Sequence, residues 1–511
     1  MTEHIDVRTG VYYDSVTLLR ITQAARSAPG VTAAQVAMAT ELNLDLARGM
    51  GFEVPADVTT NDLLITLRGD DQGAIDAGIA ALEGALADAA AAGRAAGGLG
   101  SGPAPRTVRG AAASHPDAPL ALLSVPGQYV LGEAMDAIAA GRHVMIFSDN
   151  VPIDDELAIK RAAAQAGVLV MGPDCGTAIV GGVGLGFANV LGEYDGQSVG
   201  VIAASGTGAQ HVTALLDDAK VDVSHVLGLG GRDLSEQVGG MSALQALQLL
   251  GDDPQTDRIL VISKPPHPAT ADKVRAAADQ IGKPVTYVLL GPGQPTITDG
   301  VGAVLDDLGI AVPAWRTWNE AAASSAPGAL RGLYSGGTLA DEAMLVASGV
   351  LGDIRSNIPL SPELALPADA TAAGTPDLTG LGNVVVDLGD DEFTAGRPHP
   401  MIDPTVRLDL LAAQAADPEV SVILLDVVLG HSAEADPAAR LAPAIADALA
   451  SAGRPLSVVV ALCGTDGDPQ GRDRQADALA AAGAAVYTSN AEAAQVAANL
   501  AAGRTLEGAR A

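Results

Sequence analysis

The chain is short of the residues that mark several large classes of protein. It has two cysteines, Cys175 and Cys463, far apart and without metal-ligand spacing. Neither a disulfide framework nor a metal site is expected, and a reducing compartment fits. Aromatic residues make up only 3% of the sequence, which argues against a surface that stacks nucleobases. Lysine occurs only at Lys160, Lys220, Lys264, Lys273 and Lys283, and the net charge is −32. That balance excludes nucleic acid and anionic membrane as partners. No apolar run approaches the length of a membrane span, and the first ten residues are too polar for a signal peptide. A cytoplasmic protein is expected.

What is present is abundant Ala, Val and Leu within a hydrophobic share of 48%, and 60 glycines. That mixture favours helices packed on parallel strands. A length of 511 residues predicts three or four domains. The most informative stretch is 198–235, SVGVIAASGTGAQHVTALLDDAKVDVSHVLGLGGRDLS. An apolar run, Val199–Ala204, stops at Ser205-Gly206-Thr207-Gly208. A helical pattern follows, and a second run, Val223–Leu229, stops at Gly230-Gly231-Arg232-Asp233. Glycine lets a backbone approach a ligand, and a helix N-terminus offers free N–H groups to an anion, with Arg232 as a further donor. The alternative is that Ser205 and Thr207 only cap a helix after a tight turn.

Four domains are predicted. Residues 1–96 read as a small α+β, ferredoxin-like unit, with strands Val7–Tyr13, Ala34–Thr40 and Asp62–Arg68 and helices Ser15–Ala28 and Ala74–Ala91. Ala92–Pro105 reads as a linker. Residues 106–195, 196–345 and 379–511 each alternate strand and helix, which predicts parallel sheets covered by helices. Asp353–Asp377 reads as a connecting segment. In such sheets ligands sit beyond the C-terminal ends of the strands, where most of the Gly/Asp/Arg clusters fall.

Candidate site residues follow from that placement. His399, fixed between Pro398 and Pro400, suits an acid–base or oxyanion-donor role, or is a loop histidine bonded to a carboxylate. Arg397 and Arg407 suit a carboxylate or phosphate clamp, or surface ion pairs. Asp390 and Asp391 would orient them or be solvated. Lys264, after a buried-looking strand and before two prolines, suits a phosphate contact or a solvated loop. Cys175-Gly176-Thr177 suits a structural role or a backbone anion loop rather than a nucleophile, because no His is near in sequence to activate the thiol. Ser335-Gly336-Gly337-Thr338 repeats the anion-loop pattern ahead of an Ala-rich helix. Asp466 with Arg472, and His431, are further polar residues at strand ends.

Several segments resemble the succinyl-CoA ligase superfamily of NDP-forming acyl-CoA synthetases: GPDCGTAIVGG (172–182), VGVIAASGTGAQ (199–210), GLGGRDLS (228–235), KPVTYVLLGPGQP (283–295), VILLDVVLG (422–430) and 461–495. The whole chain most closely resembles the FdrA family, through these segments with DSVTLL (14–19), FSDNV (147–151), SKPP (263–266), GLYSGGTLA (332–340) and DLGDDEFTAGRPHPMIDPT (387–405). The resemblance implies an α/β protein: a Rossmann-like CoA-binding-type domain and two flavodoxin-like ligase-type domains, α-subunit-like and β-subunit-like regions in one chain. Three features depart from the ligases. The Gln294–Val301 loop, where they carry a phosphorylated histidine, has none, and His267 is the only nearby substitute. The first CoA-binding strand and glycine loop are missing ahead of Leu120, and no nucleotide-grasp domain is present. These departures lead to the expectation of a carbamoyl or acyl transferase subunit working on an acyl phosphate. The FdrA resemblance implies oxamate carbamoyltransferase chemistry in purine ureide breakdown, with no required cofactor. The alternatives are an acyl-CoA synthetase completed by a partner chain, using CoA and ATP or ADP, and a non-catalytic scaffold or metabolite sensor. Expected partners are a small anionic metabolite, phosphate or an acyl phosphate, and further copies or subunits in an oligomer.

Overall fold

Alternating apolar residues carry the first sheet. In the computed structural model, residues 1–118 form most of one compact unit. It runs β1 (Thr2–Arg8), α1 (Ser15–Arg26), β2 (Val31–Met38), α2 (Glu41–Gly49), β3 (Leu63–Gly69), α3 (Gln72–Ala95) and α4 (Val108–Ser114). The strands are antiparallel in the order β1-β3-β2. β1 begins at Thr2 rather than at Val7, because Ile5 and Val7 pair across β3 with Thr66 and Leu64. Leu18, Ile21 and Ala25 of α1 and Ile75 and Leu82 of α3 close one core with Ile65 and Leu67. The structure describes residues 2–9, 11, 13, 15–55, 58–59, 62–95, 105–320, 327–371, 375–394 and 399–504. Most of the expected linker and Arg397 lie outside them.

The second unit holds the rest of the described chain apart from a few residues near 124–129. Its elements are β4 (Leu120–Leu123), α5 (Gly127–Ala139), β5 (His143–Ile146), α6 (Ile153–Ala166), β6 (Val170–Met171), β7 (Thr177–Val180), β8 (Val183–Gly186), β9 (Ser198–Ala204), α7 (Gly206–Asp218), β10 (Asp222–Gly228), α8 (Met241–Asp252), β11 (Arg258–Ser263), α9 (Pro268–Ala278), β12 (Val285–Leu289) and α10 (Ile297–Leu308). They continue as β13 (Thr317–Trp318), β14 (Ala329–Tyr334), α11 (Gly337–Leu351), α12 (Ala368–Thr371), β15 (Val384–Asp387), α13 (Asp391–Thr394), α14 (Thr405–Ala416), β16 (Val420–Val428), α15 (Pro437–Ser451), β17 (Ser457–Cys463), α16 (Arg472–Ala481), β18 (Ala485–Tyr487) and α17 (Asn490–Ala501).

These make a three-stranded parallel sheet, β4-β5-β6, and two six-stranded sheets. The first six-stranded sheet has the order β12-β11-β9-β10-β7-β8, with β9 to β12 parallel and β7–β8 an antiparallel hairpin. The second has the order β13-β18-β17-β16-β14-β15 and is parallel except for β13. Every residue of β9 and β16 is buried, as strands covered by helices on both faces require.

The two six-stranded sheets share a plan. In each, a first strand (β9 or β14) feeds a glycine loop and a helix (α7 or α11). The next strand lies on one side (β10 or β15) and the one after it on the other (β11 or β16). β14 and α11, expected with residues 196–345, belong instead to the second sheet, since β14 pairs with β15 and β16. Side chains of α7, α11 and α17, largely Ala, Val and Leu, pack into one apolar cluster with strands of both sheets. The two glycine loops are thereby carried on one rigid core.

Candidate functional site

Ser205 caps α7: its backbone is extended and its Oγ accepts from Gly208 N at 2.9 Å. The same hydroxyl donates to Thr338 Oγ1 at 2.5 Å, in the first turn of α11. The reverse contact is equally close. A Cβ on Gly336, the N-cap of α11, would stand 2.5 Å from Thr207 Oγ1, so only glycine fits. The N-terminal ends of α7 and α11 therefore face each other in direct contact, and their partial positive charges converge.

The loop of the second sheet is braced from below. Asp426 Oδ1 accepts from Ser335 N and Ser335 Oγ, both at 2.9 Å, and from Arg407 Nη2 at 2.7 Å. Arg407 Nε also donates to Leu333 O at 3.0 Å. Arg407 is 3% exposed. Expected as a clamp or a surface ion pair, it is buried and braces the Ser335–Thr338 loop through Nε and Nη2, which bond Leu333 O and Asp426.

Lys264, at the end of β11, reaches the same place from the first sheet. A Cβ on Gly337 would lie 2.6 Å from Lys264 Nζ and 2.5 Å from Asp387 Oδ2, so ammonium and carboxylate share the space over the first residue of α11. Asp387 ends β15. Its Oδ1 accepts from Gly389 N at 3.0 Å, and the Asn357 side chain pairs with both its backbone N–H and C=O at 3.0 Å. Burial pushes the Asp387 carboxyl up to about 6, against the pull of Lys264 and the Gly389 N–H. Burial likewise pushes Asp341, in α11, up to about 7. Burial works against the Lys264 charge, but Asp387, Asp341, Asp174 and Asp390 outweigh it and hold its pKa above the ordinary value. None of Asp387, Asp341 and Asn357 stood out in the sequence. Asp387 carried one usable signal, an acid ending an apolar run, Val384-Val385-Val386-Asp387.

His399 completes the group. Its Nδ1 accepts from Met401 N at 3.2 Å, which leaves the ring proton on Nε2. That nitrogen lies 2.6 Å from the position a Gly389 Cβ would take, beside Ser335 O. Burial lowers the His399 pKa to about 4, so the ring is a neutral donor at physiological pH. The ring tilts against Phe187, with centroids 6.0 Å apart.

Other expected site residues are placed elsewhere or engaged. Gly230 packs against the main chain of 172–173 rather than a ligand: a Cβ there would meet Pro173 O. Arg232 pairs with Glu156 at 3.0 Å and donates to Val151 O at 2.9 Å. Its neighbour Asp233 binds buried Lys160 at 2.7 Å and caps α8 through Ser242 and Ala243. Gly231 faces open space. Cys175 lies beneath Gly228, and burial pushes its thiol up to about 12, so it is no nucleophile. Gly176 O accepts from Phe187 N, and Thr177 opens β7, so this expected anion loop is part of a strand hairpin. Asp390 Oδ1 accepts from Glu392 N at the start of α13. Arg472 is held by Asp218 and Asp466, each at 2.7 Å. Thr296 and Asp299 form a capping box at the start of α10, where a ligase would carry its histidine. His267 stands at the N-cap of α9. Among the described residues no group of His, Cys, Asp and Glu is arranged to hold a metal, and no helix is long and apolar enough to cross a membrane.

Glycine loops at the C-terminal ends of parallel strands, two of them joined at helix N-termini, are matched by similarity to known proteins. A family model described as CoA-ligase matches residues 333–500, and one described as AllF, heavy metal-associated domain, matches residues 1–100. No cysteine lies in 1–100, so the second match speaks for the fold of that unit. The α subunit of ADP-forming succinate–CoA ligase from Methanothermobacter thermautotrophicus is 27% identical over 180 residues, 35% of this chain and 59% of that one. The α subunit of malate–CoA ligase from Methylorubrum extorquens is 28% identical over 171 residues, 32% of this chain and 55% of that one. The match thus spans a little over half of each ligase subunit. The chain belongs to the succinyl-CoA ligase superfamily. Within it, the chain is an FdrA-like member: YahF of Escherichia coli (strain K12) is 36% identical over 516 residues, covering 96% of this chain and 97% of YahF.

These matches correct the expected function. The CoA-ligase model and the CoA-ligase relatives point to acyl-CoA synthetase chemistry, and nothing among them is a carbamoyltransferase. The lack of a histidine in Gln294–Val301, read from the sequence as a departure from the ligases, does not overturn that match. The match to the CoA-ligase domain model speaks for the ligase alternative over the transferase.

Proposed function

We propose that the chain is a subunit of an NDP-forming acyl-CoA synthetase, and that the joined loops Ser205–Gly208 and Ser335–Thr338 hold the phosphoryl end of an activated acid. The observation that carries this reading is the reciprocal contact of Ser205 with Thr338 and of Gly336 with Thr207, which brings two helix N-termini to one point beside Lys264. CoA and a nucleotide are the cofactors such a reaction needs. Their anionic groups suit the residues present in one testable respect: no atom lies within 4 Å of a Cβ built on Gly206, so the first turn of α7 has room for a phosphoryl oxygen at its N–H donors. CoA, when bound, supplies the thiol that receives the acyl group.

The chain's own residues then divide the work. The N-terminus of α7 and Lys264 bind the phosphoryl charge. His399, neutral and carrying its proton on Nε2, donates to an acyl oxygen as negative charge develops there. Asp426 and Arg407 keep the second loop in place. Partner subunits supply what this chain lacks. The test is a coupled assay of nucleotide diphosphate formation from ATP, CoA and a panel of small carboxylic acids, with the products of neighbouring genes added. Thioester formation that depends on this chain supports the reading. Its absence with every acid and partner combination would sink it.

A further inference from the structure

Three side chains around the first residue of α11 carry polar atoms that make no hydrogen bond among the described residues: Lys264 Nζ, Asp387 Oδ2 and the Asp341 carboxylate. Lys264 Nζ and Asp387 Oδ2 lie 2.6 Å and 2.5 Å from the position a Gly337 Cβ would take. They are therefore within about 5 Å of each other, yet beyond the 4.0 Å of an ion pair. Asp387 cannot close that gap. Gly389 N binds its Oδ1, the Asn357 amide grips its main chain on both sides, and the residue is 3% exposed. Asp341 stands one turn beyond Gly337 on the same face of α11, and helical side chains lean toward the N-terminus, so its carboxylate is directed to the same space. It is 6% exposed and acts electrostatically on both Lys264 and Asp387. One unsatisfied donor thus faces two unsatisfied acceptors. Asp174 and Asp390 add further negative charge, so the space over Gly337 suits a neutral polar group.

We propose that Lys264 and Asp387 are specificity-determining residues that select a 2-hydroxy acid by holding its hydroxyl between them. The proposal rests on the synthetase reading in taking a small carboxylic acid as the guest. A hydroxyl oxygen accepts from an ammonium and donates to a carboxylate at once. Bonded at about 2.8 Å to each at a tetrahedral angle, it spans partners about 4.5 Å apart, which falls within the gap between Lys264 Nζ and Asp387 Oδ2. A carboxylate has no proton to give Asp387, and an ammonium has no lone pair for Lys264. The place of the hydroxyl on the acid follows from His399. The position a Gly389 Cβ would take is 2.6 Å from His399 Nε2 and 3.2 Å from Asp387 Oδ1. An acyl oxygen bonded to His399 and a hydroxyl bonded to Asp387 therefore sit on neighbouring carbons. Lys264 has further N–H donors, which remain for the phosphoryl group.

The test is isothermal titration calorimetry of the full chain with lactate, propionate and alanine, which carry a hydroxyl, a hydrogen and an ammonium group on the same carbon. Wild type should bind lactate on the order of tenfold to a hundredfold more tightly than either of the others, the usual effect of hydrogen bonds to charged groups. Asp387→Asn keeps an oxygen for Gly389 N but turns an amide N–H toward Lys264, and should erase the preference. Should that variant not fold, Lys264→Met leaves the bonds of Asp387 in place and should erase the preference as well. Equal binding of lactate and propionate by wild type, tightest binding of alanine, no binding of any of the three, or a preference that survives in either folded variant each overturn the proposal. Synthetase turnover with the same acids, ATP and CoA is measured on the same preparation. Absent turnover with lactate still preferred in binding removes the synthetase reading and leaves hydroxyl selection, whereas turnover of propionate as fast as that of lactate does the reverse.

Discussion

Ser205 Oγ, the cap of α7, donates its hydrogen bond to Thr338 Oγ1 of α11 across 133 residues of sequence, so the N-terminal end of the helix in one half is held by the other. Neither loop has its geometry independently. Perturbing one should therefore be felt at both, and the glycines around this bond should differ sharply in what they tolerate.

Gly336→Ala places a Cβ within 2.5 Å of Thr207, which is overpacking of a tight helix–helix contact. It should lower stability by roughly 1–3 kcal/mol and be visible as a fall in Tm. Gly206→Val meets open space and should keep the wild-type Tm while weakening sulfate or phosphate-ester binding. Equal anion affinity in a folded Gly206→Val variant would remove α7 from the site.

His399 should act as a neutral hydrogen-bond donor. Its removal in His399→Ala should lower turnover by about 100- to 1,000-fold with little change in KM for the acid, the usual cost of one oxyanion donor. Because its pKa is lowered to about 4, no limb of the kcat profile between pH 6 and 8 should belong to it. A limb in that range that disappears in His399→Ala would refute the neutral-donor role.

Breaking the brace should be expensive. Asp426→Ala strands the buried Arg407 guanidinium and leaves Ser335 without its acceptor, and should cost about 3–5 kcal/mol by chemical denaturation. Arg407→Lys cannot reproduce the contacts to both Asp426 and Leu333 O and should lose much of the same energy. A loss under about 1 kcal/mol would show that the pair does not hold the loop.

Asp341 and Glu342, side by side in α11, are both pushed up to about 7 by burial. Their pKa values are higher folded than unfolded, so the folded chain binds more protons between about pH 4 and 7. Their contribution to stability is present at low pH and is lost as pH rises through about 7. Asp341→Asn, which has no charge to lose, should gain roughly 2 kcal/mol over wild type at pH 8 and much less at pH 5. A gain of equal size at both pH values would mean that ionisation of Asp341 is not the cause.

Strand–helix alternation was legible because buried parallel strands are continuous apolar runs: Val420–Val428 and Ile153–Ala166 lie where the sequence places them. The loops were legible for the same reason, since each such run ends at a glycine cluster. Which clusters face a ligand was not. Gly230 and Gly337 look alike in sequence, yet one packs on the main chain of Pro173 and the other opens onto Lys264 and Asp387. Arg407 and Arg232 read as free donors because a sequence does not show that Asp426 and Glu156 are within reach. β14 was assigned to the wrong half because proximity along the chain is not pairing across a sheet.

The sequence alone determined the α/β class, the glycine loops and the superfamily, because all three are carried by local periodicity and short motifs. Tertiary structure alone decided that Ser205 meets Thr338, that Lys264 and Asp387 share the space over Gly337, and that His399 is a neutral donor. Those facts depend on packing two sheets around α7, α11 and α17, a long-range arrangement that no single stretch of the chain encodes.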